Sequence, residues 1–564
     1  MNNEIIGVII TFLLTILIAI PLGKYMSKIF KDEKVFTDFF APIERFIFRI
    51  SRINPNEPMD WKQNMKAMVL LNLVFFFWAL ILLLLQQWHF WNPAHIGNME
   101  PTLAFNTAAS FVSNTNLQHY SGETGTSYFS QLLILVFLQF VSAATGIAAL
   151  ALLFKGLVQK QASNLGNFYN LFLKTCTRIL LPISVVIAIL LLLNGCPVTF
   201  NGPQDVHTLE GKIIKAATGP VAPMIAIKQL GTNGGGFFGA NSAHPFESPN
   251  YITNMIEVIS EIIIAIGLVF AFGYYSGKKK LAYTIFGAMA FVFITFVSLN
   301  IKWESGGNPI INKLGIYQSN ASNMEGKEVR FGAPASSYFS IVTTSTSCGA
   351  VNSAHDSFMP LSGGLIMTDM MINAIFGGVG VGFLNFFVFL IIAVFISGLM
   401  VGRTPEFLGK KIEAREVKIA ILVALLHPLL ILAGTGISSF IAAHNPDTGW
   451  FTNPGYHGFS EMLYEFSSAS ANNGSEFAGL SANVPFWNIF DGLIMLFSRF
   501  LPIIGPVAIA GFIAQKKYIP ESAGTLRTEG MTFGLVLLGV VLIIAALSFF
   551  PALSLGPIAE HFLL

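Results

Sequence analysis

Apolar stretches about 20 residues long alternate with shorter polar connections, and that is the length a helix needs to cross a bilayer core of about 30 Å. Ten such stretches stand near 4–27, 65–88, 129–154, 172–194, 253–276, 281–300, 366–400, 417–441, 488–514 and 530–552. The pattern predicts an all-α polytopic membrane protein with ten transmembrane helices. The first stretch opens at Glu4 and closes at Lys24 without an Ala-x-Ala cleavage pattern, so it reads as a retained helix.

The polar connections are not uniform. Four of them, all on the same outer side of the spans, contain a semi-apolar segment too short to cross, followed by small and amide residues: 103–116, 224–234, 338–349 and 462–474. Their last four residues are Ser113-Asn114-Thr115-Asn116, Gly231-Thr232-Asn233-Gly234, Thr346-Ser347-Cys348-Gly349 and Ala471-Asn472-Asn473-Gly474, with ends 118, 115 and 125 residues apart. Each has a span before and a span after it, which describes four helix, pore-loop, helix repeats around a pseudo-four-fold pore, plus one extra helix at each end. The chain divides accordingly into 1–64 (first span and cytoplasmic linker), 65–154, 172–276, 281–400 and 417–514 (pore repeats 1 to 4) and 530–552 (last span). Non-helical backbone survives at membrane depth only where protein buries it or it lines a wet cavity. Rings of carbonyls in such segments can replace the hydration shell of a monovalent cation, so the sixteen residues named form a candidate filter. Gly236, two residues beyond Gly234, lies outside the register.

Composition sharpens the class. Of 564 residues, 53% are hydrophobic and 11% charged, with Lys+Arg 32 against Asp+Glu 30, which leaves no basic surface for nucleic acid and no room for a large soluble catalytic domain. Cationic residues gather on one side: 24 of the 32 lie in 24–66, 155–178, 278–280, 403–418 and 516–527. By the positive-inside rule these face the cytoplasm and both termini face outward. The chain holds neither a GxxxxGK[ST] string nor an Asp-Lys-Thr-Gly-Thr phospho-acceptor, so it is expected to have no catalytic centre and no organic cofactor. Cys176, Cys196 and Cys348 are too far apart to read as a disulfide framework or a CxxC metal site.

The strings QLGTNGGGFFGANSAHPFESPN (229–250), TSTSCGAVNSAH (344–355), ANNGSEFAGL (471–480) and MVGRTPEFLGKKIE (400–413) resemble the potassium-binding and translocating A subunits of Kdp-type potassium-transporting P-type ATPases, in the superfamily of potassium transporters with four pore loops. The resemblance runs over essentially the whole chain. It implies a channel-like subunit of an ATP-driven, high-affinity potassium importer in a bacterial-type cell membrane. Potassium would be the bound substrate, held in the filter and passed through an intramembrane tunnel to a P-type ATPase catalytic subunit (B). A single-span accessory subunit (C) and a small hydrophobic peptide (F) are the other implied partners. The family also carries Asn at the place of Asn116.

Several further residues draw attention. Gly377, Gly378, Gly380 and Gly382 fall within six residues of the seventh span, enough to cost a helix several kcal/mol at about 1 each. They predict either a break, matching the gate-like interruption in the third repeat of similar transporters, or close helix packing. Arg499 sits deep in the ninth span, where a cation is a functional candidate by default. The resemblance places it beneath the filter as a barrier, with snorkelling as the alternative and Glu257, Glu261 and Asp491 as possible partners. Glu123, Glu247, Asp356 and Glu476 each follow a filter segment and form either a cation-attracting ring or a merely solvated rim. His244 and His355 recur in Asn-Ser-Ala-His strings but out of register, which favours loop packing over a metal site. A stand-alone potassium channel or ion-coupled carrier is the rival function. A polytopic membrane enzyme is another, and it would need clustered acids and histidines at one face.

Overall fold

The computed structural model describes residues 2–315, 322–520 and 528–563, and ten of its helices are long and apolar enough to cross a membrane. In chain order the elements that build the pore are α1 (Asn2–Phe30), α2 (Trp61–Leu84), α3 (Pro101–Val112), α4 (Ser130–Val158), α5 (Phe168–Leu193) and α6 (Val221–Leu230). They continue as α7 (Tyr251–Ser276), α8 (Lys279–Ser305), α9 (Gly332–Ser345), α10 (Pro360–Ile372) and α11 (Val381–Val401). The last four are α12 (Ala414–His444), α13 (Tyr456–Ala471), α14 (Pro485–Gln515) and α15 (Met531–Leu553). The short helices α3, α6, α9 and α13 are the pore helices, one in each repeat.

Burial sorts the spans into two rings. The second span of each repeat is mostly enclosed, with 72% of α4, 83% of α7, 67% of α11 and 67% of α14 buried over their most apolar windows. The first spans of the repeats are 33%, 39%, 39% and 22% buried, and α1 and the last span 22% and 28%. Hydropathy cannot separate the rings, because lipid and protein interior are equally apolar; the outer helices keep Leu17, Val74, Val186, Leu422 and Leu547 exposed, where acyl chains replace side-chain contacts.

Two features go beyond the sequence reading. The apolar stretch 366–400 is two helices: α10 ends at Ile372, Asn373 turns left-handed (φ 46°), and α11 starts only at Val381. The break therefore spans 373–380, with Phe376, Gly377 and Gly380 also at positive φ, while Gly382 lies in the first turn of α11. Close packing holds as well, since a Cβ on Gly382 would stand 2.2 Å from the Gly377 Cα. The second is a pair of small antiparallel ribbons, Gln204–His207 with Ile213–Ala216 between α5 and α6 and Glu406–Phe407 with Lys410–Lys411 between α11 and α12.

Candidate functional site

Each pore helix delivers its C-terminal end to one of the four candidate filter segments, and the hydrogen bonding there repeats four times. The amides of Thr115, Asn233, Cys348 and Asn473 donate back to the carbonyls of Ser110, Lys228, Thr343 and Ser468 at 2.9, 2.8, 2.9 and 2.9 Å. The next amides turn to the same residues: Asn116 and Gly234 donate to the Ser110 and Lys228 carbonyls, Gly349 and Gly474 to the Thr343 and Ser468 hydroxyls. The second and fourth residues of every segment have left-handed φ, namely Asn114, Asn116, Thr232, Gly234, Ser347, Gly349, Asn472 and Gly474. Alternating handedness turns successive peptide planes the same way, so amides line one side and carbonyls the other. With the amides folded onto the pore helix, the carbonyls face away from it. Among the described residues nothing donates to the carbonyls of Thr115, Asn233, Cys348 or Asn473. The partial negative charge at each helix C-terminus points to the same place.

The segments close a ring in sequence order. A Cβ on Gly234 would lie 2.0 Å from the Cys348 carbonyl oxygen, one on Gly349 2.2 Å from that of Asn473, and one on Gly474 2.1 Å from that of Thr115. The remaining seam is joined by side chains: Asn114 Nδ2 donates to the Gly231 and Thr232 carbonyls at 3.1 and 2.9 Å, and Asn233 Nδ2 to Asn114 Oδ1 at 2.7 Å. Asn472 Nδ2 donates to Thr115 Oγ1 at 2.9 Å, and Asn473 Nδ2 to the Thr343 carbonyl at 2.8 Å. Asn116 breaks the symmetry. It is 2% exposed, lines a vestibule of about 290 Å³, and neither atom of its amide has a partner among the described residues.

The break 373–380 sits against the deep end of the ring. The Val379 amide donates to Thr232 Oγ1 at 3.0 Å, the Gly377 amide to the Ser345 carbonyl at 2.8 Å, and Ser347 Oγ to Asn373 Oδ1 at 2.9 Å. Arg499 lies alongside: its Nη2 donates to the Ser142 carbonyl at 3.4 Å, and would be 3.2 Å from a Cβ on Gly146, a position also 2.5 Å from the Val379 carbonyl. No carboxylate of the described residues forms an ion pair with it, so the suggested partners fall away. Glu257 instead accepts from Gln229 at 2.9 Å, and Asp491 faces His119. A cavity of about 50 Å³, room for more than one water, lies between α11, α12, α14 and α15 and is lined by Asn373, His427 and Ser498 among others.

The four rim carboxylates do not form a common ring. Glu247 is fully buried 2.5 Å from Lys228 and accepts from the Phe238 amide. Glu123 accepts from the Gly239 amide, Asp356 pairs with His457 at 3.0 Å, and only Glu476 lines the vestibule. His244 stacks on Phe238 with centroids 3.7 Å apart. His355 contacts the Tyr464 hydroxyl at 2.7 Å, and burial pulls its pKa down to about 3, so it stays neutral. Sequence reasoning passed over Asp369, whose Oδ2 accepts from Thr344 and Ser345 directly behind the third segment. A carboxylate inside the apolar run LSGGLIMTDMMI was the available signal. Lys228, one of the eight cationic residues outside the five cationic clusters, is wholly buried behind the second segment.

This geometry agrees with what the chain is similar to. The family model for "Potassium-transporting ATPase A subunit" matches residues 9–562. Proteins named "Potassium-transporting ATPase potassium-binding subunit" from Flavobacterium psychrophilum, Bacteroides thetaiotaomicron and Alicyclobacillus acidocaldarius are 56%, 54% and 50% identical, over 100%, 100% and 99% of both chains. Among solved structures, the potassium transporter TrkH from Vibrio parahaemolyticus superposes with a TM-score of 0.51 at 14% identity, covering 89% of this chain and 98% of that one, a likeness of fold. With a match spanning nearly every residue, this chain belongs to the potassium-transporting ATPase A subunit family.

Proposed function

We propose that this chain is the potassium-binding subunit of an ATP-driven potassium uptake complex, and that its four filter segments select the ion. The observation that carries this reading is the ring of carbonyls at Thr115, Asn233, Cys348 and Asn473. They are turned from their own helices and without donors among the described residues, as an arrangement that replaces a hydration shell requires. Potassium enters from the vestibule, loses water to the ring, and meets Arg499 and the 373–380 break beneath it. The fixed cation and the packed loop close the straight route to the cytoplasm. The cavity lined by Asn373 offers a sideways one toward a neighbouring subunit, and that is where the ion leaves for the P-type catalytic partner. ATP is hydrolysed on that partner; the accessory single-span subunit and small hydrophobic peptide complete the assembly, and both termini of this chain face outward. No described residue of this chain is needed for phosphoryl transfer.

The test is ATP turnover of the purified assembly against potassium concentration, with and without this chain. Potassium stimulation should need the chain, and the chain free of partners should give no turnover. Saturable potassium stimulation by the catalytic partner alone would remove the filter from the function. A stand-alone channel would instead conduct potassium without a co-purifying ATPase.

A further inference from the structure

Behind the seam where the fourth segment meets the first, four side chains from three places in the chain converge. His119 Nε2 lies 3.3 Å from Glu465 Oε1, 3.8 Å from Glu476 Oε1 and 4.0 Å from Asp491 Oδ2. His119, Glu465 and Asp491 have fully buried side chains, and Glu476 reaches the vestibule with 22% of its side chain exposed. Both oxygens of Asp491, Oε2 of Glu465 and Oε1 of Glu476 have no hydrogen-bond partner among the described residues. A buried carboxylate in that condition is costly unless a cation or proton answers it.

The histidine is oriented for a particular role. Asn488 Nδ2 donates to Thr102 Oγ1 and Asn483 Oδ1, which fixes its other amide atom, Oδ1, as the acceptor 2.7 Å from His119 Nδ1. Nδ1 therefore carries a proton, and Nε2, in contact with Glu465 Oε1 at 3.3 Å, becomes a ligand when a metal displaces its own proton. A hydrogen-bonded Nδ1 holding Nε2 for coordination is the arrangement of metal-ligating histidines. The other histidine and acid group, Asp356, His457 and Glu461, lacks it: both His457 nitrogens already contact carboxylates, at 3.0 and 2.9 Å.

We propose that His119, Glu465 and Glu476 form a divalent-cation site beside the filter, filled from the vestibule past Glu476, with Asp491 facing it as a supporting acid 4.0 Å from Nε2. One imidazole with carboxylates suits Zn²⁺ or Mn²⁺. Bonds of about 2.0–2.2 Å in a tetrahedral shell give ligand separations of about 3.3–3.6 Å, close to those observed around Nε2. The longer bonds of an alkali cation as large as potassium would hold the ligands farther apart. The bound ion would pin the end of the first segment to the fourth pore helix, bracing the seam that closes the ring.

The intact complex, purified without chelator, should carry about one equivalent of zinc or manganese per chain by mass spectrometry of the digested protein. After chelator treatment it should take up Mn²⁺ saturably, as read by electron paramagnetic resonance. Asp491→Asn should weaken that uptake by at least about tenfold. Glu476→Gln, at the accessible edge where misfolding is least expected, should do the same in complex that elutes as a monodisperse assembly. Absence of divalent metal together with no saturable Mn²⁺ or Zn²⁺ uptake would overturn the proposal and leave a proton as the occupant. Uptake unchanged in Glu476→Gln and Asp491→Asn would overturn it equally by placing the metal elsewhere.

Discussion

Gly234→Ala is the sharpest probe of the carbonyl ring, because the ring leaves it no slack. Gly234 has φ +88°, and the added methyl would stand 2.0 Å from the Cys348 carbonyl oxygen and 2.7 Å from both Cys348 C and Gly349 C. Relief requires about 1 Å of movement, and every atom met is backbone of the neighbouring segment. The left-handed angle alone costs a residue with a Cβ about 1–2 kcal/mol. If the ring holds the ion as proposed, displacing the Cys348 oxygen adds to that. Potassium affinity should fall more than tenfold, a loss above about 1.4 kcal/mol, and rubidium, ammonium and sodium should compete better. The assay is the half-saturating potassium concentration for ATP hydrolysis by the purified complex, repeated with each competing ion. Gly97→Ala is the control, since its Cβ meets nothing within 4 Å. Gly236 is not silent despite lying out of register: its Cβ would meet Asn241 Nδ2 at 2.9 Å, and that amide holds the Gly234 carbonyl. Wild-type affinity and competition in assembled Gly234→Ala complex would refute the ring.

Other outcomes follow from single features of the structure. Arg499→Met keeps the apolar stem and removes the charge, so less potassium should be moved per ATP; unchanged stoichiometry in assembled complex would return Arg499 to packing. Asn116→Gly relieves a left-handed Asn but deletes an unpaired vestibule amide, and should weaken potassium affinity by about fivefold, near 1 kcal/mol; tighter binding would refute a role for the amide. His457 provides a pH test: burial lowers its pKa, but hydrogen bonds and charge from Asp356 and Glu560 prevail and raise it from 6.5 to about 10. A raised folded pKa gives stabilisation that is complete below pH 6.5 and lost as pH climbs through 10. The melting-temperature gap between wild type and His457→Gln should therefore narrow over that window, and a constant gap would show that the pairing is not ionic.

The spans were legible because a bilayer demands about 20 apolar residues in a row, whatever lies beside them. Which spans form the inner ring was not, since α4 and α2 read alike in hydropathy and differ only in what covers them. The four filter segments were marked by amide and small residues at matched spacing. Their shared pattern of left-handed angles at Asn114, Thr232, Ser347 and Asn472 was hidden, because three different residue types adopt it. The glycine run signalled a break, but Asn373 and Phe376 extend it upstream where no glycine stands. The His119 group escaped notice for a plainer reason: 346 residues separate His119 from Glu465, and no local pattern joins them.

The closure of the ring in sequence order bears on how the protein is made. Ribosomes deliver the first segment more than 350 residues before its neighbour on one side, because Gly474 and Asn472 are what cover Thr115. Until then the first three segments form an open arc, with polar backbone at membrane depth and one seam gaping. Asn472 also donates to the Met495 carbonyl in α14, so the last edge is sealed only after the ninth span has been inserted. Nascent chains stopped before that point should be substrates for membrane quality control, and ion selection should arise in one late step of synthesis.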